Sequence, residues 1–150
     1  MLFRSQEYLA KYLPKLGEAG IYFLFGIVML LVGRLVWNII TKYNANHEIG
    51  ESDNVSAGIA EFGFLIGLAL IILGSLAGER SPDVPILWDL VVSFIYSIFG
   101  LFALAIGKFA LDIFTPFKLD DEISRDKNPA AGWLQAGFYI ALSIILFGVL

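Results

Sequence analysis

The chain has 150 residues, of which 58% are hydrophobic and only 16% charged, with no cysteine, one histidine and a formal net charge of −4. Its mean hydropathy is +0.77, whereas soluble domains are about 45–50% apolar and about 25% charged, so the composition belongs in lipid. The acidic balance argues against a nucleic-acid partner, and the lack of cysteine removes disulfides and thiol chemistry.

In chain order, residues 1–16 read "MLFRSQEYLAKYLPKL". A compact apolar core and a small-residue cleavage site are both missing, so the segment does not read as a signal peptide. Leu2, Leu9, Leu13 and Leu16 approximate one helical face with Tyr8 and Tyr12, while Arg4, Lys11 and Lys15 lie elsewhere. This predicts a short helix in the membrane interface, with Pro14 either as a kink or in the first turn of the helix leading into the membrane. Four segments then reach the roughly 20 apolar residues that a bilayer core requires: Gly20–Thr41, Val55–Gly78, Leu87–Phe114 and Pro129–Leu150. Lipid admits only structures that satisfy every backbone group, and each run is too long for a single strand, so all four are helices. The link 79–86 is rich in proline and charge, as a turn outside the membrane should be.

Sliding the sequence by 74 positions aligns 21–76 with 95–150 without a gap, and 20 of the 56 pairs are identical. They include Gly26/Gly100, Gly33/Gly107, Glu48/Glu122, Asn54/Asn128, Gly63/Gly137 and Gly74/Gly148. Shared hydrophobicity does not produce this many matched glycines and a matched asparagine. The predicted fold is therefore all-α: a polytopic membrane helical bundle of four transmembrane helices, arranged as two parallel two-helix repeats, 17–78 and 87–150. Each repeat crosses the membrane twice, so both enter from the same side, related by an axis along the membrane normal.

Asn54 and Asn128 stand where helix N-caps belong, before spans two and four, and Pro129 takes the first helical position. "NVS" at residues 54–56 is also a glycosylation sequon, but its place against a span favours the cap. Gly63–Gly67 forms GxxxG and Gly137–Ala141 its small-xxx-small twin, while Gly26 and Gly33, like Gly100 and Gly107, share a helical stripe. In lipid such residues let backbones approach, so the eight are read as packing positions within the bundle or between copies in a homo-oligomer.

An acidic "EI" loop, then "N..AG", then a glycine-studded span, written twice around four spans, resembles domain-of-unknown-function family 350. The resemblance covers nearly the whole chain beyond its N-terminal stretch. It implies a small multi-pass protein of the bacterial plasma (inner) membrane with no known catalytic activity. It also implies a gene context shared with envelope-stress proteins of the phage-shock type, an association rather than a mechanism.

Ionisable groups inside spans are costly and so attract a functional reading. The first repeat carries Arg34, Asn38 and Glu61; the second carries Lys108, Asp112 and Gln135 at the same three positions. Each set holds one base and one acid, but the acid has changed place, which predicts that the three positions lie close together and that each base keeps one carboxylate. Such a layer is either a set of structural ion pairs or the lining of a pathway. The criterion is whether Arg34, Glu61, Lys108 and Gln135 face a common water-filled cavity.

The loops 42–53 and 115–127 share one membrane face, and Asp120, Asp121, Glu122 and Arg125 offer solvated charge for a partner. A lone His47 is weak evidence for a metal, and nothing in the sequence asks for a cofactor. Lysine and arginine lean these loops towards the cytoplasm and the termini outward. HExxH, P-loop and GxSxG motifs are absent, so the sequence does not read as an enzyme. The leading expectation is a non-enzymatic oligomeric scaffold docking an envelope-stress partner through its loops. The alternative is a homo-oligomeric pore or carrier for an ion or small solute.

Overall fold

The computed structural model describes residues 2–77 and 84–150, with side chains from Tyr12 onward. The described residues form six helices and no strand: α1 (Leu2–Ile40), α2 (Ala45–Gly50), α3 (Val55–Leu76), α4 (Ile86–Phe114), α5 (Leu119–Ser124) and α6 (Pro129–Phe147). Helices α1, α3, α4 and α6 are long and apolar enough to cross a membrane. The four expected spans are therefore present, and α2 and α5 are short helices within segments expected to be loops.

Helix α1 runs unbroken through Pro14, with no boundary near residue 16. Proline removes one intrahelical hydrogen bond; the apolar run beyond it continues the helix nonetheless. The side chains expected on its first face, Leu2, Tyr8 and Leu9 with Arg4 and Lys11, lie outside the described residues. So does most of the 79–86 link, Arg80 included.

Helices α3 and α6 form the centre and pack against each other most extensively; α1 lies on α3, and α4 on both α3 and α6. Small residues make this possible. Gly63 faces the backbone of Ala136, Gly67 faces Tyr139 and Ser143, Gly74 faces Phe147, and Gly132 faces the Ser56 carbonyl. A side chain at Gly63 would enter the Ala136 main chain, which cannot retreat. Within each repeat one contact recurs: Gly33 lies under Phe64 and Leu68 on α3, and Gly107 under Phe138 and Leu142 on α6.

Trp37, Phe64, Leu68, Leu104 and Tyr139 are fully buried, while Phe23, Leu31, Leu35, Phe102, Phe109 and Ile113 are each more than half exposed. Large apolar side chains directed outward along two whole helices suit a hydrocarbon solvent rather than water. Tyr22 on α1 donates its hydroxyl proton to the Asp89 carboxylate on α4, joining the two outer helices away from the loops.

Candidate functional site

The polar groups collect at the loop ends of the spans. In the first repeat Arg34 donates from Nε to Glu61 Oε1 at 2.8 Å and from Nη2 to Asn46 Oδ1 on α2, also at 2.8 Å. The Arg34 side chain is 46% exposed and Glu61 only 8%, so the base reaches outward and the acid stays inside. Asn38 donates to the Arg34 carbonyl at 3.3 Å.

In the second repeat Lys108, 1% exposed, donates to Asp112 Oδ2 at 3.1 Å and to Asp120 Oδ2 on α5 at 2.8 Å. Gln135 donates instead to the Tyr139 hydroxyl at 3.3 Å. The structure thus brings Arg34 to Glu61 and Lys108 to Asp112, in two separate clusters, and gives Gln135 a neutral partner.

A fourth position completes each cluster, and reading the spans alone missed it. Asn46 and Asp120 are 74 residues apart, so the same alignment that pairs Arg34 with Lys108 also pairs them. In each repeat the base of the first span holds the same side-chain position on the loop helix. Asp120 is therefore not a solvated loop charge: it is 4% exposed and bound to Lys108. A lysine facing two aspartates leaves the second cluster with one surplus negative charge, whereas Arg34 and Glu61 balance.

Tyr43 is buried in the loop after α1. Burial first, then the negative charge of Asp120 and contributions from Tyr139, Glu61 and Glu48, pushes its hydroxyl well above the usual tyrosine range, so it stays neutral. Among the described residues Asn38 Oδ1, Glu61 Oε2, Asp112 Oδ1, Asp120 Oδ1 and Gln135 Oε1 are buried acceptors without a protein donor. Groups of this kind in native proteins are served by ordered water.

The "E-I" and "N" signals form one device, built twice. Asn54 accepts from the Ala57 amide at 3.2 Å, and its own amide donates to Glu48 Oε2 at 2.8 Å. Asn128 accepts from the Ala130 amide at 3.0 Å and donates to Glu122 Oε2 at 3.0 Å. The chain turns into each cap through a left-handed residue, Asp53 at φ 49° and Lys127 at φ 50°. Glu122 is half-buried and is held by this bond as an acceptor within the turn. Asn54 makes one bond more, donating across the repeats to the Ile123 carbonyl at 2.8 Å.

Asp121 and Arg125 remain at the surface, 3.6 Å apart, and His47 pairs with the exposed Glu51 at 3.0 Å. A cavity of about 320 Å³ opens on this face, lined by Lys42, Lys118 and Arg125 against Asp112, Asp120 and Asp121, with Leu119. Between the repeats the bundle is closed by aromatic rings: Trp37 lies 5.0 Å from Phe64 and 5.8 Å from Tyr139, and Phe64 lies 5.4 Å from Tyr139. Of the eight packing positions read from sequence, Gly33, Gly63, Gly67, Gly100 and Gly107 meet neighbours. Among the described residues nothing lies within 4 Å of a Cβ built on Gly26 or Gly137, and Ala141 faces outward.

Comparison with known proteins agrees with this doubled architecture. The chain is 26% identical over 133 residues to the UPF0719 transmembrane protein YshE of Bacillus subtilis (strain 168), covering 88% of this chain and 92% of that one. A UPF0719 transmembrane protein of Mycolicibacterium paratuberculosis (strain ATCC BAA-968 / K-10) is 32% identical over 62 residues, 41% of each chain. No solved structure matches. One family matches twice, over residues 10–94 and again over 85–150, as two copies of one unit require. The chain, a transmembrane protein with four helices able to cross the membrane, therefore belongs to the family described as Domain of Unknown Function (DUF350).

Proposed function

We propose that this protein is a non-enzymatic, oligomeric scaffold of the bacterial plasma membrane, which holds a rigid charged platform at one membrane face for a partner in envelope function. The observation that carries the reading is the way intramembrane charge is used. Arg34 and Lys108 each bond a loop helix as well as a carboxylate, so the ion pairs clamp α2 and α5 to the spans. A clamped platform with Lys42, Lys118, Asp121 and Arg125 around an open cavity suits docking. The positive-inside tendency favours a cytoplasmic platform.

The pore reading has less support. Its residues fall into two clusters that spend their donors on themselves, and the Trp37, Phe64 and Tyr139 rings fill the space between the repeats.

Purified protein in liposomes, followed with an ion-sensitive dye, separates the two readings. The expected outcome is a leak equal to that of empty vesicles for both wild type and Glu61→Gln. A leak above that level which Glu61→Gln changes would overturn the scaffold. In parallel, proximity labelling in cells should lose specific neighbours when Lys118 and Arg125 are both changed to glutamate, with membrane insertion intact.

A further inference from the structure

The two repeats do not meet through matching surfaces. Repeat one contributes the small face of α3, Ser56, Gly63, Gly67 and Gly74, and repeat two contributes a receiving face of α6, Gly132, Ala136, Ser143 and Phe147. Moved by 74 positions, the small face becomes Ala130, Gly137 and Ala141 on α6 with Gly148 at its C-cap, all exposed and turned away from α3. The receiving face becomes Gly58, Phe62, Ala69 and Leu73 on α3. A two-fold contact would have used both sets twice. The observed contact is head-to-tail and leaves one face of each kind unused.

Both unused faces are open. Among the described residues nothing lies within 4 Å of a Cβ built on Gly58 or Gly137, and Phe62 and Leu73 are 53% and 55% exposed. A groove of about 580 Å³ lies on the unused receiving face, lined by Ile49, Val55, Gly58 and Phe62, among others. The outer helices repeat the pattern. Gly100 of α4 sits on Ile71 of α3, but the twin pair has not formed: Gly26 is uncovered and Ile145 is 64% exposed.

The polar bonds sharpen the comparison. At the inner contact Ser56 donates to the Asn128 carbonyl at 2.6 Å and Ser93 to the Ser75 carbonyl at 3.0 Å. At the outer faces the same positions hold Ala130, Ala19 and Val149, side chains suited to a seam surrounded by lipid.

We infer that a second copy of this chain occupies these faces, the small face of α6 in one copy seated on the receiving face of α3 in the next, repeating between molecules the contact already made within one. Gly26 of the second copy then covers Ile145 of the first. The Asn128 amide reaches the Ile49 carbonyl of the next copy, as Asn54 reaches that of Ile123 within the chain. The repeats are parallel, so each step stays in the membrane plane, and head-to-tail contacts close into a ring or extend as a row. Phe62 stands where Ala136 stands, so at that level the copies sit wider apart than the repeats do. The inference concerns only faces of the membrane-spanning helices and holds whether or not the loop face docks a partner or an ion crosses the bilayer.

The chain has no cysteine, so single cysteines can be placed cleanly. Full-length Gly58→Cys and Ala130→Cys, differently tagged, are reconstituted together and separately in phospholipid vesicles and then oxidised. The expected result is a disulfide-linked heterodimer in the mixture and none in either variant alone. Adding Gly137→Trp to the Ala130→Cys chain should cut that product about tenfold while the helical spectrum and thermal transition stay as they were. Products in each variant alone, the mark of a two-fold dimer, would overturn the inference. So would no product in the mixture from well-folded protein at high density.

Discussion

At the residue scale Lys108 is almost fully enclosed and faces both Asp112 and Asp120. Its charge is worth less as an attraction than as the condition on which two carboxylates are left in the interior. Removing one member of a buried pair typically costs about 3–5 kcal/mol because the partner is stranded. Lys108→Met should therefore destabilise strongly in denaturant unfolding from micelles, while Lys108→Met combined with Asp112→Asn and Asp120→Asn recovers much of the loss. Equal stability of the single and triple variants would show that charge balance is not what holds the cluster. Arg34→Met should cost less, since it strands one carboxylate, Glu61, where Lys108→Met strands two.

At the element scale the short helices are the part that sequence patterning conceals. Helices α2 and α5 are six residues each, too short for periodicity to declare them. What fixes them is the bond from a span base to Asn46 or Asp120 and the Glu–Asn clamp that closes the turn. The caps lead to a comparison between twins. Asn54 and Asn128 each cap a span and each hold a glutamate, but only Asn54 also bonds across the repeats within the chain. Monomeric Asn54→Ala should thus lose about 1 kcal/mol more than Asn128→Ala, the worth of one further hydrogen bond, read from thermal unfolding in detergent. The spans themselves were legible because length and hydropathy suffice in lipid, and the duplication because glycine and asparagine matched at one offset. The Lys108–Asp120 bond was not legible from the spans, since Asp120 in "KLDDEIS" looks like any acid in a polar loop. Only the pairing of Asn46 with Asp120 under that offset carried the signal.

At the scale of the whole molecule, Gly33 and Gly107 are both locked within their repeats, whereas each glycine locked between the repeats has a twin position that meets no neighbouring helix among the described residues. Gly63 meets the Ala136 backbone, whereas nothing lies near Gly137 among the described residues. Gly63→Leu should abolish the folded protomer, and Gly137→Leu should leave its unfolding transition within about 0.5 kcal/mol of wild type in detergent, where copies are apart. Equal damage from both would mean that the inner seam is not the determinant of the bundle. The serines that bond between the repeats, Ser56 to the Asn128 carbonyl, Ser93 to the Ser75 carbonyl and Ser97 to the Ser75 hydroxyl, have a further meaning. Joining the repeats by a short linker turns their association into an intramolecular event at an effective concentration in the millimolar range. With the encounter supplied by the covalent chain, the hydroxyl bonds of this contact are left to fix the register of one repeat on the other.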